Sequence, residues 1–356
     1  MTSIVTRRDA RSGMFCAFLP GPSQLECNVK NGLFSIFVSI AGAGLALSGA
    51  ALAQGAYPSA PLTVIVPFAA GGSVDVAARI VLPKLAVRLK QPVVIENVPG
   101  AAGTIGTQRA IRARPDGYTL LFAVASPITV APQVSPSTVK YDALQELAPI
   151  APVAVAPFVL IGKPGLSATG TSDLVRLAKS QPGRLNYGTD GVGTSMHVSM
   201  ELVKQSAKID VLHVPYKSGP QVLTELAGNQ IDLAVLPVSL AQGFIRDGKV
   251  KAFGVTSKAR WGSLPGVPSL SEAAELKDMD VESWYGLLAP AQVEVAIRER
   301  IAREIAAILA EPEVVKKMED AGLKPLSMSP AQFGAYLARE KQMLGGVIAA
   351  AGIKAE

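Results

Sequence analysis

The chain has 356 residues, of which 49 % are hydrophobic and 17 % charged, and a net charge of +6. This is the balance of a folded chain with a sizeable core and room for two medium domains, which excludes a disordered polyelectrolyte. The cations form no long run, so no nucleic-acid surface is marked, and the mild positive bias favours small anionic partners.

Residues 32–50 (GLFSIFVSIAGAGLALSGA) are apolar and small, with Lys30 just before them and Arg7, Arg8 and Arg11 further out. Ala51-Leu52-Ala53 fits a small-x-small cleavage site ahead of Gln54. Residues 1–53 therefore read as a cleaved secretory signal, and the mature chain is expected in the periplasm. A membrane anchor is the alternative, because the apolar run approaches spanning length. Met14 is an alternative start, since the polar lead is long. Cys16 and Cys27 both fall in this segment, which leaves no thiol, disulfide or cysteine metal site in the mature chain. Removing the segment leaves a charge of about +4.

Beyond Gln54, strands and helices alternate. The pattern predicts a strand at 62–66, a helix at 74–89 with Ala77, Val81, Leu85 and Leu89 on one face, and a strand at 93–95. A glycine turn at 100–106 (GAAGTIG) leads into a helix to about residue 113, and a strand at 118–125 follows the Asp116-Gly117 turn. This order implies parallel pairing with right-handed crossovers. Pro149, Pro152, Pro157 and Pro164 then punctuate an apolar strand, read as an edge or linking segment and as the first crossing between two domains. The alternation restarts with helices at 171–179, 194–205, 221–228 and 239–247 and strands at 185–187, 211–214, 231–235 and 252–255. A returning strand at 282–288 is the second crossing. Helices follow around Ile297, Ile301, Ile305 and Leu309 and at 313–319, the last closed by Gly322. Two α/β domains, two crossings and a helical return describe a hinged receptor with a ligand cleft between its lobes. The division is residues 54–157 plus 281–356 for lobe 1 and 158–280 for lobe 2.

Two glycine turns stand out. The first, PFAAGGSVD, joins a strand to a helix and contains no lysine or arginine. Glycines let backbone N–H groups approach a ligand, and a helix N-terminus carries roughly half a positive charge, so the turn suits an anion. A plain tight turn is the alternative. Asp75 either steadies the helix start or accepts from a ligand amine or hydroxyl. The second turn, YGTDGVGTSMH, has Thr194 or Ser195 as N-cap. It is neither a dinucleotide fingerprint nor a phosphate P-loop. His197 either fixes this loop or touches ligand, and neither it nor His213 has a spaced second metal ligand. No metal or cofactor is implied. Ser137-Thr138-Val139-Lys140 matches S-x-x-K and Lys217-Ser218-Gly219 resembles K-T-G, but the S-x-N partner is missing and Ser137 follows Pro136 in a loop, so the match is read as chance.

Together these segments resemble the periplasmic solute-binding receptors of tripartite tricarboxylate transporters, the Bug family. The resemblance is carried by Pro67-Phe68-Ala69-Ala70-Gly71-Gly72-Ser73-Val74-Asp75 and by Glu96-Asn97-Val98-Pro99-Gly100-Ala101-Ala102-Gly103-Thr104-Ile105-Gly106. Pro115-Asp116-Gly117-Tyr118-Thr119-Leu120, Val214-Pro215-Tyr216-Lys217 and Trp284-Tyr285-Gly286-Leu287-Leu288-Ala289-Pro290 complete it. It implies a two-lobed Venus-flytrap fold of the type II-like periplasmic binding class, and no enzyme. It also implies a monomer that hands a small organic acid or amide to membrane transporter subunits. In that family main-chain N–H groups and waters hold the ligand carboxylate. Carried over, the first loop contributes Phe68, Ala70, Gly71, Gly72 and Asp75, and the second Tyr187, Thr189, Gly191, Gly193, Thr194 and His197. Ser239 and Tyr285 are further contacts at the cleft and hinge. The chain departs from the family in having Thr189-Asp190 where serines are usual, and Tyr216-Lys217-Ser218-Gly219 where Tyr-Lys-Gly is common. The Asp190 charge argues against strictly multi-anionic ligands such as citrate. The rival readings are a sensing module that signals to a membrane kinase and a secreted hydrolase, for which no activated nucleophile is evident.

Overall fold

The computed structural model describes residues 57–354, so the expected signal at 1–53 lies outside the described residues. Lobe 1 is built on β1 (Leu62–Val66), β2 (Val93–Asn97) and β3 (Thr119–Ala123), which pair in parallel with β1 in the middle. The helices between them are α1 (Ser73–Leu89) and α2 (Thr104–Ile111). Beyond β3 come α3 (Ala131–Val134), α4 (Ala143–Glu146) and the 16-residue β4 (Leu147–Gly162). The other crossing strand, β9 (Glu282–Pro290), lies antiparallel between β3 and β4.

β4 is the member shared by both lobes. Its residues Leu147 to Pro157 pair with β9, and from Phe158 onward it pairs with β7 (Leu233–Pro237) and β8 (Lys251–Val255). The second sheet continues from β7 to β5 (Asn186–Thr189) and β6 (Leu212–Pro215), all parallel. β4 is therefore an interior strand, not an edge. Its prolines are tolerated because the ladder with β9 shifts register between Pro149 and Ala151 and again between Pro152 and Ala154.

Lobe 2 wraps its sheet with α5 (Thr171–Ser180), α6 (Ser195–Ala207), α7 (Gly219–Ala227) and α8 (Val238–Arg246), over one core that includes Phe158, Tyr187, Leu233 and Phe253. Lobe 1 has a core on each sheet face. One packs Val64, Leu82, Leu85 and Tyr285 against α9 (Val295–Leu309) and α10 (Pro312–Asp320). The other packs Leu121, Trp284 and Leu288 against α11 (Pro330–Ala351). The short β10 (Lys324–Pro325) pairs with β4 at Ala154 and Val155.

Helix α11 is an element the periodicity reading did not place, although Ser329 and Gln332 form a reciprocal capping box at its start. Its buried face runs Phe333, Leu337, Glu340, Leu344 and Ile348. The acid in that row is held: Glu340 Oε2 accepts from Trp284 Nε1 at 2.7 Å and from Thr129 Oγ1 at 2.9 Å. Burial still pushes its carboxyl up to about 7, against the two hydrogen bonds that lower it. An acid raised on folding stabilises the fold while protonated, and that contribution is lost as pH rises towards 7. Glu340→Gln keeps one oxygen for both donors and has no charge to bury. Its melting temperature is expected to exceed wild type by a few degrees at pH 8, with the gap closing by pH 4. A gap that does not change with pH in thermal unfolding would contradict this.

Candidate functional site

A cavity of about 680 Å³ lies between the lobes. The ends of helices from both sides converge on it. From lobe 1 come Gly72, Ser73 and Val74 at the start of α1 and Gly103 and Thr104 at the start of α2. From lobe 2 come Ser195 and Met196 at the start of α6 and Gly219 and Pro220 at the start of α7. The N-caps of α1 and α2 are Gly72 and Gly103, neither with a side-chain cap, so first-turn amides are left for something else. Four partial positive poles facing one space attract an anion without any cation in the depth of the site. Among the lining residues the titratable side chains are Asp190, Tyr216 and the exposed Lys217.

The glycines are there for approach. Gly71 adopts φ +77°, a conformation that makes the turn into α1. A Cβ on Gly106 would stand 2.7 Å from the Val98 carbonyl oxygen and 2.9 Å from Pro67 Cα, so only glycine lets α2 lie this close to the strand ends.

Of the sequence-selected residues, Phe68, Gly72 and Gly191 line the cavity. The others shape it from behind. Ala70 and Gly71 sit exposed on the outside of the first turn. Asp75 does not face the cavity: Oδ2 accepts from Gly71 N at 2.9 Å and from Arg79 Nε at 2.7 Å, and Oδ1 accepts from Asn97 Nδ2 at 3.0 Å. Burial works to raise its carboxyl, but Arg79, the Gly71 amide and Asn97 together hold it below the usual range. Of the two roles open to Asp75, these contacts match the steadying one.

The second loop is braced in the same way. Thr194 caps α6, accepting from His197 N at 3.3 Å and donating to the Gly191 carbonyl at 3.0 Å. His197 Nδ1 accepts from Gly193 N at 3.2 Å, which leaves the ring proton on Nε2. His197 and His213 stack with ring centroids 4.1 Å apart, and burial lowers both, His213 to about 4, so the pair stays neutral. Thr189 Oγ1 lies 2.7 Å from His213 Nε2, and Tyr187, stacked on His213, donates to Glu201 Oε1 at 2.6 Å. Tyr187, Thr189, Gly193, Thr194 and His197 thus hold the loop and do not line the cavity. Tyr285 Oη and Ser239 Oγ are buried at the hinge without hydrogen-bond partners, in a group of hydroxyls with Ser73 and Ser283. Only Ser73 and Ser283 of that group reach the cavity wall.

Ser126 is a lining residue the sequence reading missed, just past the carboxyl end of β3, where open α/β sheets place ligand contacts. It also joins the lobes: its hydroxyl accepts from Ser195 N at 2.9 Å and lies 3.0 Å from Ser195 Oγ. Nearby, a Cβ on Gly193 would stand 3.0 Å from Val134 Cγ1 of lobe 1.

Residues 77–353 match the tripartite tricarboxylate transporter family receptor. The chain belongs to that family. Like the Bug proteins within it, it has relatives of nearly its own length. It is 32 % identical over 330 residues to the protein BugT of Bordetella pertussis, covering 92 % of this chain and 99 % of BugT. It is also similar to the solved structure of Rpa4515 from R. palustris with adipate (TM-score 0.81, 27 % identity, 84 % of this chain and 99 % of that one). The third comparison is MatC from Rhodopseudomonas palustris with bound malate (TM-score 0.77, 27 % identity, 82 % of this chain and all of that one). The family consists of periplasmic solute-binding receptors, and the two-lobed fold described above is theirs.

The Ser126 and Gly193 contacts make closure a testable property of this receptor. Ser126→Ala removes the acceptor for Ser195 N, and Gly193→Ala strains a φ of +73° and crowds Val134. Both variants are expected to show a larger radius of gyration than wild type in small-angle scattering. Unchanged scattering would show that these contacts do not hold the lobes together.

Proposed function

We propose that this receptor captures a small carboxylate between its lobes and delivers it to membrane subunits of a tripartite tricarboxylate-type transporter. One observation carries the proposal: helix N-termini from both lobes converge on one cavity whose wall, among the described residues, has no buried cation. Such a wall attracts a carboxylate yet releases it when the lobes part, because each lobe alone presents only part of it. The sites with adipate and malate in related receptors support the same chemistry. Residues 54–157 plus 281–356 act as one lobe and 158–280 as the other, with β4 and β9 as the hinge. Function is then the difference in affinity between open and closed states, without turnover. Membership of a transporter receptor family favours delivery to a transporter over signalling to a kinase.

Binding to the native state alone raises stability by about 2.7 kcal/mol at a ligand concentration one hundred times Kd. A matching acid in a panel of four- to eight-carbon mono- and dicarboxylates is expected to raise the melting temperature by about 5 °C. No shift and no calorimetric heat across the whole panel would contradict the proposal.

A further inference from the structure

The cavity contains one group that the capture of a carboxylate does not use. Asp190 lies in the second loop, in the wall that lobe 2 contributes, while the starts of α1 and α2 are in the wall from lobe 1. Its Oδ1 is fully buried and has no hydrogen-bond partner. The Thr194 hydroxyl acts to lower the carboxyl, but it donates its proton to the Gly191 carbonyl at 3.0 Å. Among the described residues, Asp190 is the sole carboxylate in the cavity wall, and the only lining cation, Lys217, is exposed at the rim. Asp75, the other acid of the two loops, has both oxygens engaged within its own lobe.

A buried acceptor without a donor is costly, and for a charged group more so. Burial pushes the Asp190 carboxyl up to about 6, against the Thr194 hydroxyl and its own backbone amide, which lower it. Most buried polar atoms find a partner, so an unpaired carboxylate oxygen in a ligand cavity calls for a donor that arrives with the ligand. The same oxygen repels a second ionised carboxylate placed against it.

We propose that Asp190 is the specificity-determining residue of this receptor and accepts from a nitrogen-borne proton on the ligand. The preferred ligand is then a carboxylate that carries an ammonium or amide group at its far end, not a dicarboxylate. The carboxylate sits at the helix N-termini and the nitrogen donor at Asp190. This rests on the carboxylate-capture reading above and narrows it to a ligand class.

The test uses the full mature chain and three matched sets of probes: succinate, succinamate and β-alanine; glutarate, glutaramate and 4-aminobutyrate; adipate, adipamate and 5-aminopentanoate. Isothermal titration calorimetry is run on wild type, Asp190→Asn and Asp190→Ser, with circular dichroism to confirm that each variant is folded. Wild type is expected to bind the amide or amino member of at least one set about tenfold more tightly than its dicarboxylate, the scale of a hydrogen bond to a charged group. Both variants are expected to lose that preference and to gain affinity for the dicarboxylate. If dicarboxylates bind wild type as tightly as their amides, or if the order of preference is the same in all three proteins, the Asp190 assignment is overturned while carboxylate capture stands. If no probe binds any of the proteins, both the assignment and the capture reading are overturned.

Discussion

The structure depends on one electrostatic constraint: helix N-termini from both lobes begin at the wall of one cavity. Four helices begin at its wall, and the two in lobe 1 start from glycines without side-chain caps. Their first turns line the cavity and have no side-chain cap to take up their amides. A lysine in the same place would be long, flexible and strongly hydrated, and would have to shed that water on binding. Backbone donors are held by the fold, so little ordering remains to be done when ligand arrives.

Much of the surrounding sequence serves to hold those backbone segments in place. In lobe 1, Asp75 ties Gly71, Arg79 and Asn97 into one knot behind the first turn. In lobe 2 the neutral His197–His213 stack, Thr189 and Thr194 do the same for the second turn. The lobes are joined at two levels. The long β4 passes through both sheets and links them covalently. Across the cleft, Ser126 meets the start of α6, so a lobe 1 hydroxyl engages one of the helix N-termini that form the site.

The fold was largely legible in the sequence because its signals are local. Alternating apolar strands and amphipathic helices gave every long element except α11. That helix is hard to read because Glu340 interrupts its apolar face. The interior position of β4 was hidden by prolines, whose cost is absorbed by register shifts that no local pattern reveals. The site was legible at the level of loops and less so at the level of residues. The glycine turns were found, since their composition dictates a helix start. Which side chains face inward depends on the approach of distant segments. For this reason Asp75 and His197, conspicuous in sequence, face away from the cavity, whereas Ser126 and Ser283 on its wall drew no notice. The helical turn bearing Ser126 lies among prolines and β-branched residues that mask it.

The account's central claim is that main-chain amides, not a cation, hold the ligand's carboxylate. A crystal structure of the receptor with a bound carboxylate tests this most directly. The account predicts carboxylate oxygens within hydrogen-bond distance of the backbone N–H groups at the start of α1, with Lys217 Nζ unengaged. A carboxylate paired to Lys217, with those amides turned to solvent, would contradict it.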